Sequence, residues 1–216
     1  MSPELELDAA VRAVFEPDGS LSTADPHFKP RSGQTEMALA VVQAIEQKQA
    51  LVVEAGTGVG KTFAYLVPAL LSGQRVLIST ATKTLQDQLF KRDLPRLIAA
   101  LALPVKTALL KGRANYLCTH RLHMTRQDGL LPDRASVRQL AKVEQWSQAT
   151  RTGDLAEMPG LDERSSLIPF ITSNKDNCLG SECSHHKDCH LMAARRQALA
   201  AEVVVVNHHL FFADLS

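Results

Sequence analysis

The segment Ala55-Gly56-Thr57-Gly58-Val59-Gly60-Lys61-Thr62 packs glycines, a lysine and a hydroxyl into one short run. Apart from Ala55, which stands where a first glycine is usual, it fits a phosphate-binding loop. Glycines let the backbone curl so that successive N–H groups point inward at phosphate oxygens, and a following helix turns its positive end to the same anion. In such a loop Lys61 reaches the β- and γ-phosphates and the Thr62 hydroxyl ligates Mg²⁺. The expected ligand is therefore a nucleoside triphosphate with its metal. Asn174-Lys175-Asp176 echoes the guanine-reading Asn-Lys-x-Asp, but its Asp comes one place early, so the echo is discounted. Upstream, Phe28-Lys29-Pro30-Arg31-Ser32-Gly33-Gln34 ends in an amide that can both donate to and accept from one edge of adenine. A lone Gln is otherwise an ordinary solvated helix residue.

The second constellation is Cys118, then Cys178, Cys183 and Cys189, the last three separated by four and five residues. Structural zinc sites use tighter pairs, so the wide gaps suit a larger object than one ion. Four thiolates match the ligand count of a cubane iron-sulfur cluster. His185, His186 and His190 keep a Cys/His zinc site open, and buried structural cysteines are the plain alternative.

Overall charge excludes little. Lys and Arg total 24 against 23 Asp and Glu. From Leu94 to Gln127, however, there is no acidic residue, while Arg96, Lys106, Lys111, Arg113, Arg121 and Arg126 are all basic. Such a stripe can hold a phosphate backbone, or be a solvated face. The acidic start, Met1-Ser2-Pro3-Glu4-Leu5-Glu6-Leu7-Asp8, precedes no apolar run of membrane-spanning length. A cytoplasmic protein is expected, whose cysteines serve metal or redox chemistry rather than disulfides.

Elements must hold these residues in place. Leu5, Leu7, Val11, Val14 and Phe15 predict a short amphipathic helix, followed by a loop to about Pro30. Residues 34–47 predict a helix with Met37, Ala40, Val41 and Ile45 on one face. Leu51-Val52-Val53-Glu54 reads as a buried strand leading into the loop, and a helix starts near Lys61. Arg75 to Thr80 reads as a strand, residues 82–91 as a helix, and Asp93-Leu94-Pro95 as the capped start of another. Thr107 to Leu110 and Glu202 to Val206 supply further strands, the latter central. Alternating strands and helices imply a parallel α/β sheet flanked by helices. Between about 114 and 190 the pattern lapses, and that stretch holds all four cysteines, most histidines and the one Trp. It reads as an insertion between two strands of one sheet.

Glu54 to Thr62, Ser79-Thr80, Leu85-Gln86-Asp87-Gln88, Lys111-Gly112-Arg113-Ala114-Asn115-Tyr116-Leu117-Cys118, the later cysteines and Val203 to Leu210 together resemble the DinG branch of XPD-like superfamily 2 helicases, its YoaA-like members above all. The likeness runs from about Phe28 onward. It implies a RecA-like motor domain over residues 1–113 and 191–216, interrupted at 114–190 by a mostly helical [4Fe-4S] domain bound through Cys118, Cys178, Cys183 and Cys189. It implies that Gln34 reads adenine, that the 55–62 loop holds ATP and Mg²⁺, and that Ser79, Thr80 and Lys83 touch single-stranded or forked DNA. Lys111, Arg113 and Tyr116 are further DNA contacts on this reading, although Tyr116 serves equally as a core aromatic. The resemblance also implies 5′-to-3′ unwinding in repair or replication, and the chi subunit of DNA polymerase III as a partner.

The chain departs from the family after Leu210, where no Asp-Glu-Ala-His box, second motor domain or arginine finger follows. An incomplete motor, inactive by itself, is expected. The competing reading is a stand-alone iron-sulfur nucleic-acid-binding or redox-sensing protein with a relic P-loop. A third is a zinc-containing P-loop ATPase.

Overall fold

A computed structural model describes residues 3–129 and 131–213. Met1 and Ser2 of the acidic start lie outside the described residues, as does the side chain of Leu5. The chain forms two compact units, residues 1–108 with 201–208, and residues 109–200 with 209–216.

The first unit opens with α1 (Pro3–Phe15), which buries Val11, Val14 and Phe15. The expected loop after it contains a short helix, α2 (Ser20–Ala24), anchored by buried Leu21. In α3 (Ser32–Gln47) the fully buried line is Gln34, Ala38 and Val42, spaced four apart, beside the expected apolar face of Met37, Ala40, Val41 and Ile45. Each of those four is only partly buried. A helix wedged against two neighbours buries a line between the apolar residues as well as the residues themselves, and α3 packs on both α1 and α4 (Lys61–Leu71).

β1 (Val76–Thr80) leads into α5 (Lys83–Gln88), whose N-terminus is capped by the Thr82 hydroxyl accepting from the Leu85 amide at 3.1 Å. The helix then continues through a π-helical turn at Leu89–Asp93 into α6 (Leu94–Leu101). Asp93 therefore caps nothing. It sits in helical backbone, and its carboxylate accepts from Arg92 Nε at 2.8 Å and Gln88 Nε2 at 3.5 Å. Pro95, which has no N–H to donate, stands in the first turn of α6, directly after the π-helical segment.

β2 (Thr107–Leu109) and β3 (Val203–Asn207) complete a three-stranded sheet in the order β1-β3-β2. β3 pairs with β1 in parallel, Val76 opposite Val203 through Thr80 opposite Asn207. Its four valines are buried, as a central strand covered on both faces requires. The strand expected at Leu51 to Glu54 does not form. The segment joins no ladder with β1, β2 or β3, and Val52 is 96% exposed. An extended run is fixed as a strand only by neighbours that satisfy its amides and carbonyls.

The second unit is helical: α7 (Thr119–Asp128), α8 (Arg134–Ser147), the short α9 (Ile168–Ile171) and α10 (His190–Ala200). Leu117, Leu122, Val143, Leu155, Met158, Leu167 and Ile171 form its core, with Trp146 and Phe170 packed against it. A last helix, α11 (His208–Ala213), follows β3. Among the described residues no helix is long and apolar enough to cross a membrane.

Candidate functional site

The glycine-rich loop turns at Thr57–Val59 and meets α4 at Gly60. Gly60 has φ +88°, a left-handed conformation that L side chains adopt at a cost, and Gly58 has φ +81°. The Gly60 carbonyl accepts from the amides of Phe63 and Ala64 in the first turn of α4, and from Gln34 Nε2 at 2.9 Å. Gln34 is only 3% exposed, so the start of α3 is tied to the loop through its side chain. Lys61 Nζ donates to the carbonyls of Ala55 at 2.5 Å and Gly56 at 2.8 Å, which draws the loop around the ammonium group. Thr62 lies in the first turn of α4, where its hydroxyl bonds Tyr65. Burial, then the nearby Asp93 charge, pushes the Tyr65 phenol up, and the Thr62 bond partly offsets both. Positive helix end, curled backbone and lysine thus meet at one place, which is what a polyphosphate needs.

At the C-terminal ends of β1 and β3, Ser79 Oγ and His208 Nδ1 are 2.7 Å apart, and Thr80 Oγ1 donates to Thr82 O at 3.3 Å. His208 had no role in the sequence reading. Only the pairing of Ser79 with Val206, which carries the start of α11 to β1, shows its place. Lys83 is exposed in the first turn of α5.

In the helical unit all four cysteines line one cavity of about 300 Å³, together with Arg113, Leu117, Ser173, His185, His186 and Leu191 among others. Each thiol is free and half-buried. Cys118 precedes α7 and Cys189 precedes α10, so each sits at a helix start. Burial pushes the Cys118 thiol up, and neighbouring Cys189 and Cys183 add to this, while the Arg121 amide and Ser173 hydroxyl draw it back. The thiols face a shared space from its walls. Among the described residues no three His, Cys, Asp or Glu side chains close on a single ion position.

Two of the expected DNA contacts are interior residues. Lys111 is 3% exposed and its Nζ lies 2.7 Å from Asp154 Oδ2, whose side chain is 6% exposed. Tyr116 is 5% exposed, and its hydroxyl accepts from the Lys111 amide at 3.1 Å. A desolvated ammonium must be paired, and Lys111 is paired inside the protein rather than offered to phosphate. Tyr116 is the core aromatic. Arg113 remains half-exposed at the cavity wall. The basic stripe is further broken by Arg96 against Asp25 at 3.0 Å and Arg126 against Glu144 at 3.5 Å. All three acidic partners lie outside residues 94–127, so no window on the stripe contains them. Asp154 was missed for this reason, and its one local signal is a cap, Oδ1 accepting from the Ala156 amide.

A glycine-turned loop closing on a lysine at the start of a helix, beside a parallel sheet, defines a P-loop protein of the α/β class. Residues 35–126 match the family described as DEAD/DEAH box helicase. The chain is 49% identical over 212 residues to the ATP-dependent DNA helicase YoaA of Haemophilus influenzae, covering 98% of this chain and 33% of that protein. To YoaA of Escherichia coli K12 it is 52% identical over 204 residues, 93% of this chain and 32% of that one. To the ATP-dependent helicase DinG of Mycobacterium tuberculosis H37Rv it is 41% identical over 207 residues, 85% and 31% respectively. The chain is thus similar to YoaA and DinG helicases over most of its length and spans about a third of the length of these curated relatives.

Proposed function

We propose that this chain is the portion of an ATP-dependent DNA helicase of the YoaA/DinG type that holds MgATP and a [4Fe-4S] cluster. The observation that carries the nucleotide assignment is the Gly60 turn, with Lys61 Nζ on the loop carbonyls and α4 opening directly behind it. Loop amides from Ala55 to Gly60 and Lys61 bind the phosphates, and Thr62 supplies a ligand to Mg²⁺. The adenine role of Gln34 rests on the family resemblance alone, since its side chain is 3% exposed and its Nε2 is held by the Gly60 carbonyl.

The cluster assignment rests on four half-buried thiols around one cavity, two of them at helix starts. That donor set fits a cubane, which supplies a redox-active, rigidifying centre when bound. We read 114–190 as an insertion into a motor formed by 1–113 and 191–216; two compact units support two bodies, although residues 109–113, 191–200 and 209–216 group with the helical one. Ser79, Thr80, Lys83 and Arg113 contact single-stranded or forked DNA. Movement is 5′-to-3′, in repair or replication in the cytoplasm, with the chi subunit of DNA polymerase III as a partner.

Two measurements test this. MgATP binding by calorimetry is expected in the micromolar range and is lost in Lys61→Ala. Anaerobically purified protein is expected to be brown with about four irons per chain, and Ser in place of any one of the four cysteines bleaches it. Nucleotide-independent DNA binding with no MgATP affinity would turn the reading to an iron-sulfur binding protein, and colourless protein with zinc to the Cys/His alternative.

A further inference from the structure

Lys111 and Asp154 form the most deeply buried ion pair among those described, 3% and 6% exposed at 2.7 Å. Such a pair is a poor source of stability, because desolvating both charges cancels most of their attraction. Its value lies in direction, since a buried charge has only one place where it is satisfied.

The position of the pair shows what it directs. Asp154 bridges antiparallel to Tyr116, the Leu117 amide donates to Gly153 O at 2.8 Å, and the Cys118 amide donates to Ile171 O at 2.8 Å. Tyr116 and Leu117 are thereby laid along the Gly153–Asp154 strip, and Cys118, next in the chain, is tied to the end of α9. The Tyr116 hydroxyl accepts from the Lys111 amide, so Lys111 grips this segment through its backbone and Asp154 through its ammonium group. Tyr116 also clusters with Leu191 and Ala194 of α10, and Cys189 packs against that cluster. On the other side of the strip, Gly153 lies so near the His190 ring that a Cβ there would overlap it.

We propose that the Lys111–Asp154 ion pair positions Cys118 and Cys189 relative to each other, through Tyr116 and the 153–154 strip, and that Cys178 and Cys183 are held independently of it. This rests on the reading of the cysteine cavity as a cluster site. The pair touches neither thiol, so Lys111 and Asp154 are positioning residues.

The test uses the full chain and the variant Lys111→Met/Asp154→Leu, which removes both charges together and leaves neither stranded. Iodoacetamide labelling of the iron-free protein is followed at each cysteine by mass spectrometry. Cys118 and Cys189 are expected to label about tenfold faster than in wild type, the change that a local opening easier by one decade gives, with Cys178 and Cys183 unchanged. The reduction potential of the iron-loaded variant shifts as well. Asp154→Asn, which keeps an acceptor but strands the buried Lys111 charge, gives the same pattern more strongly. Unchanged labelling at all four positions overturns the proposal, because the pair is then only filler. An equal rise at all four, with a lower melting temperature, overturns it too, because the pair then serves general stability. Wild-type protein that takes up no iron defeats the cluster reading alone, since the labelling pattern still reports on the pair.

Discussion

The side-chain amide of Gln34 donates to the carbonyl of Gly60 at 2.9 Å, and a Cβ on Gly60 would overlap that same nitrogen. Helix α3 and the phosphate loop are therefore fitted to each other at a point where only a hydrogen atom separates them.

Gly60→Ala meets two penalties, the left-handed φ of +88° and the displaced amide. The backbone strain alone is about 1–2 kcal/mol. The variant is expected to lose MgATP binding in calorimetry and to unfold at lower denaturant. Gln34→Ala relieves the overlap, so the double variant Gln34→Ala/Gly60→Ala recovers part of the stability. A double variant no more stable than Gly60→Ala would show that the contact is not what Gly60 serves.

Gly153 has φ +65° and abuts the His190 ring. Gly153→Ala is expected to destabilise the helical unit by more than the roughly 1–2 kcal/mol of backbone strain, because the ring must also move. The only Trp of the chain, Trp146, packs on the core of that unit, so its fluorescence in a denaturant titration reports this loss. MgATP affinity should not change. Coincident loss of both would contradict the division into two units.

Asp133 caps α8, its carboxylate accepting from the Ser136 amide at 2.6 Å and the Ser166 hydroxyl at 3.0 Å. The Ser136 amide first, then the Ser166 hydroxyl, hold its carboxyl below the ordinary aspartate value of 3.8. Because the folded value is the lower, the unfolded chain binds the extra proton. The contribution is complete above the unfolded pKa and fades as pH falls through the folded one. Melting temperatures of wild type and Asp133→Ala should differ by a constant amount near neutral pH and converge in acid below about the aspartate value of 3.8. A gap that widens in acid would contradict the assignment.

Single-stranded DNA binding by this chain should be weak and strongly salt-dependent, since only scattered cations reach the surface. Removing one phosphate contact lowers the slope of log K against log salt by about 0.7 for a single strand. Arg113→Glu and Lys83→Glu are each expected to reduce it by that amount, measured by fluorescence anisotropy. Lys111→Gln should unsettle the helical unit and leave the slope alone. If Lys111→Gln lowers the slope without changing the fold, the lysine contacts DNA after all.

Much of this protein was legible in local patterns. The phosphate loop depends on residues within one turn and the helix behind it, so its glycines, Lys61 and Thr62 announce it wherever the chain folds. Four consecutive valines at 203–206 likewise suit only a strand covered on both faces. Cysteine spacing, too, suggested a shared site, and the four thiols do line one cavity. The tertiary structure decided what depends on distant partners. Leu51 to Glu54 has a strand's composition, yet strand formation requires neighbours to bond its backbone, and β1, β2 and β3 do not supply them. Lys111 looked like a surface cation because charge on a sequence carries no depth. Asp154, 43 residues on by numbering, sets that depth by turning the lysine inward at 2.7 Å. Residue type fixed what each side chain is able to do, and the partner brought to it by the fold determined which of those things it does.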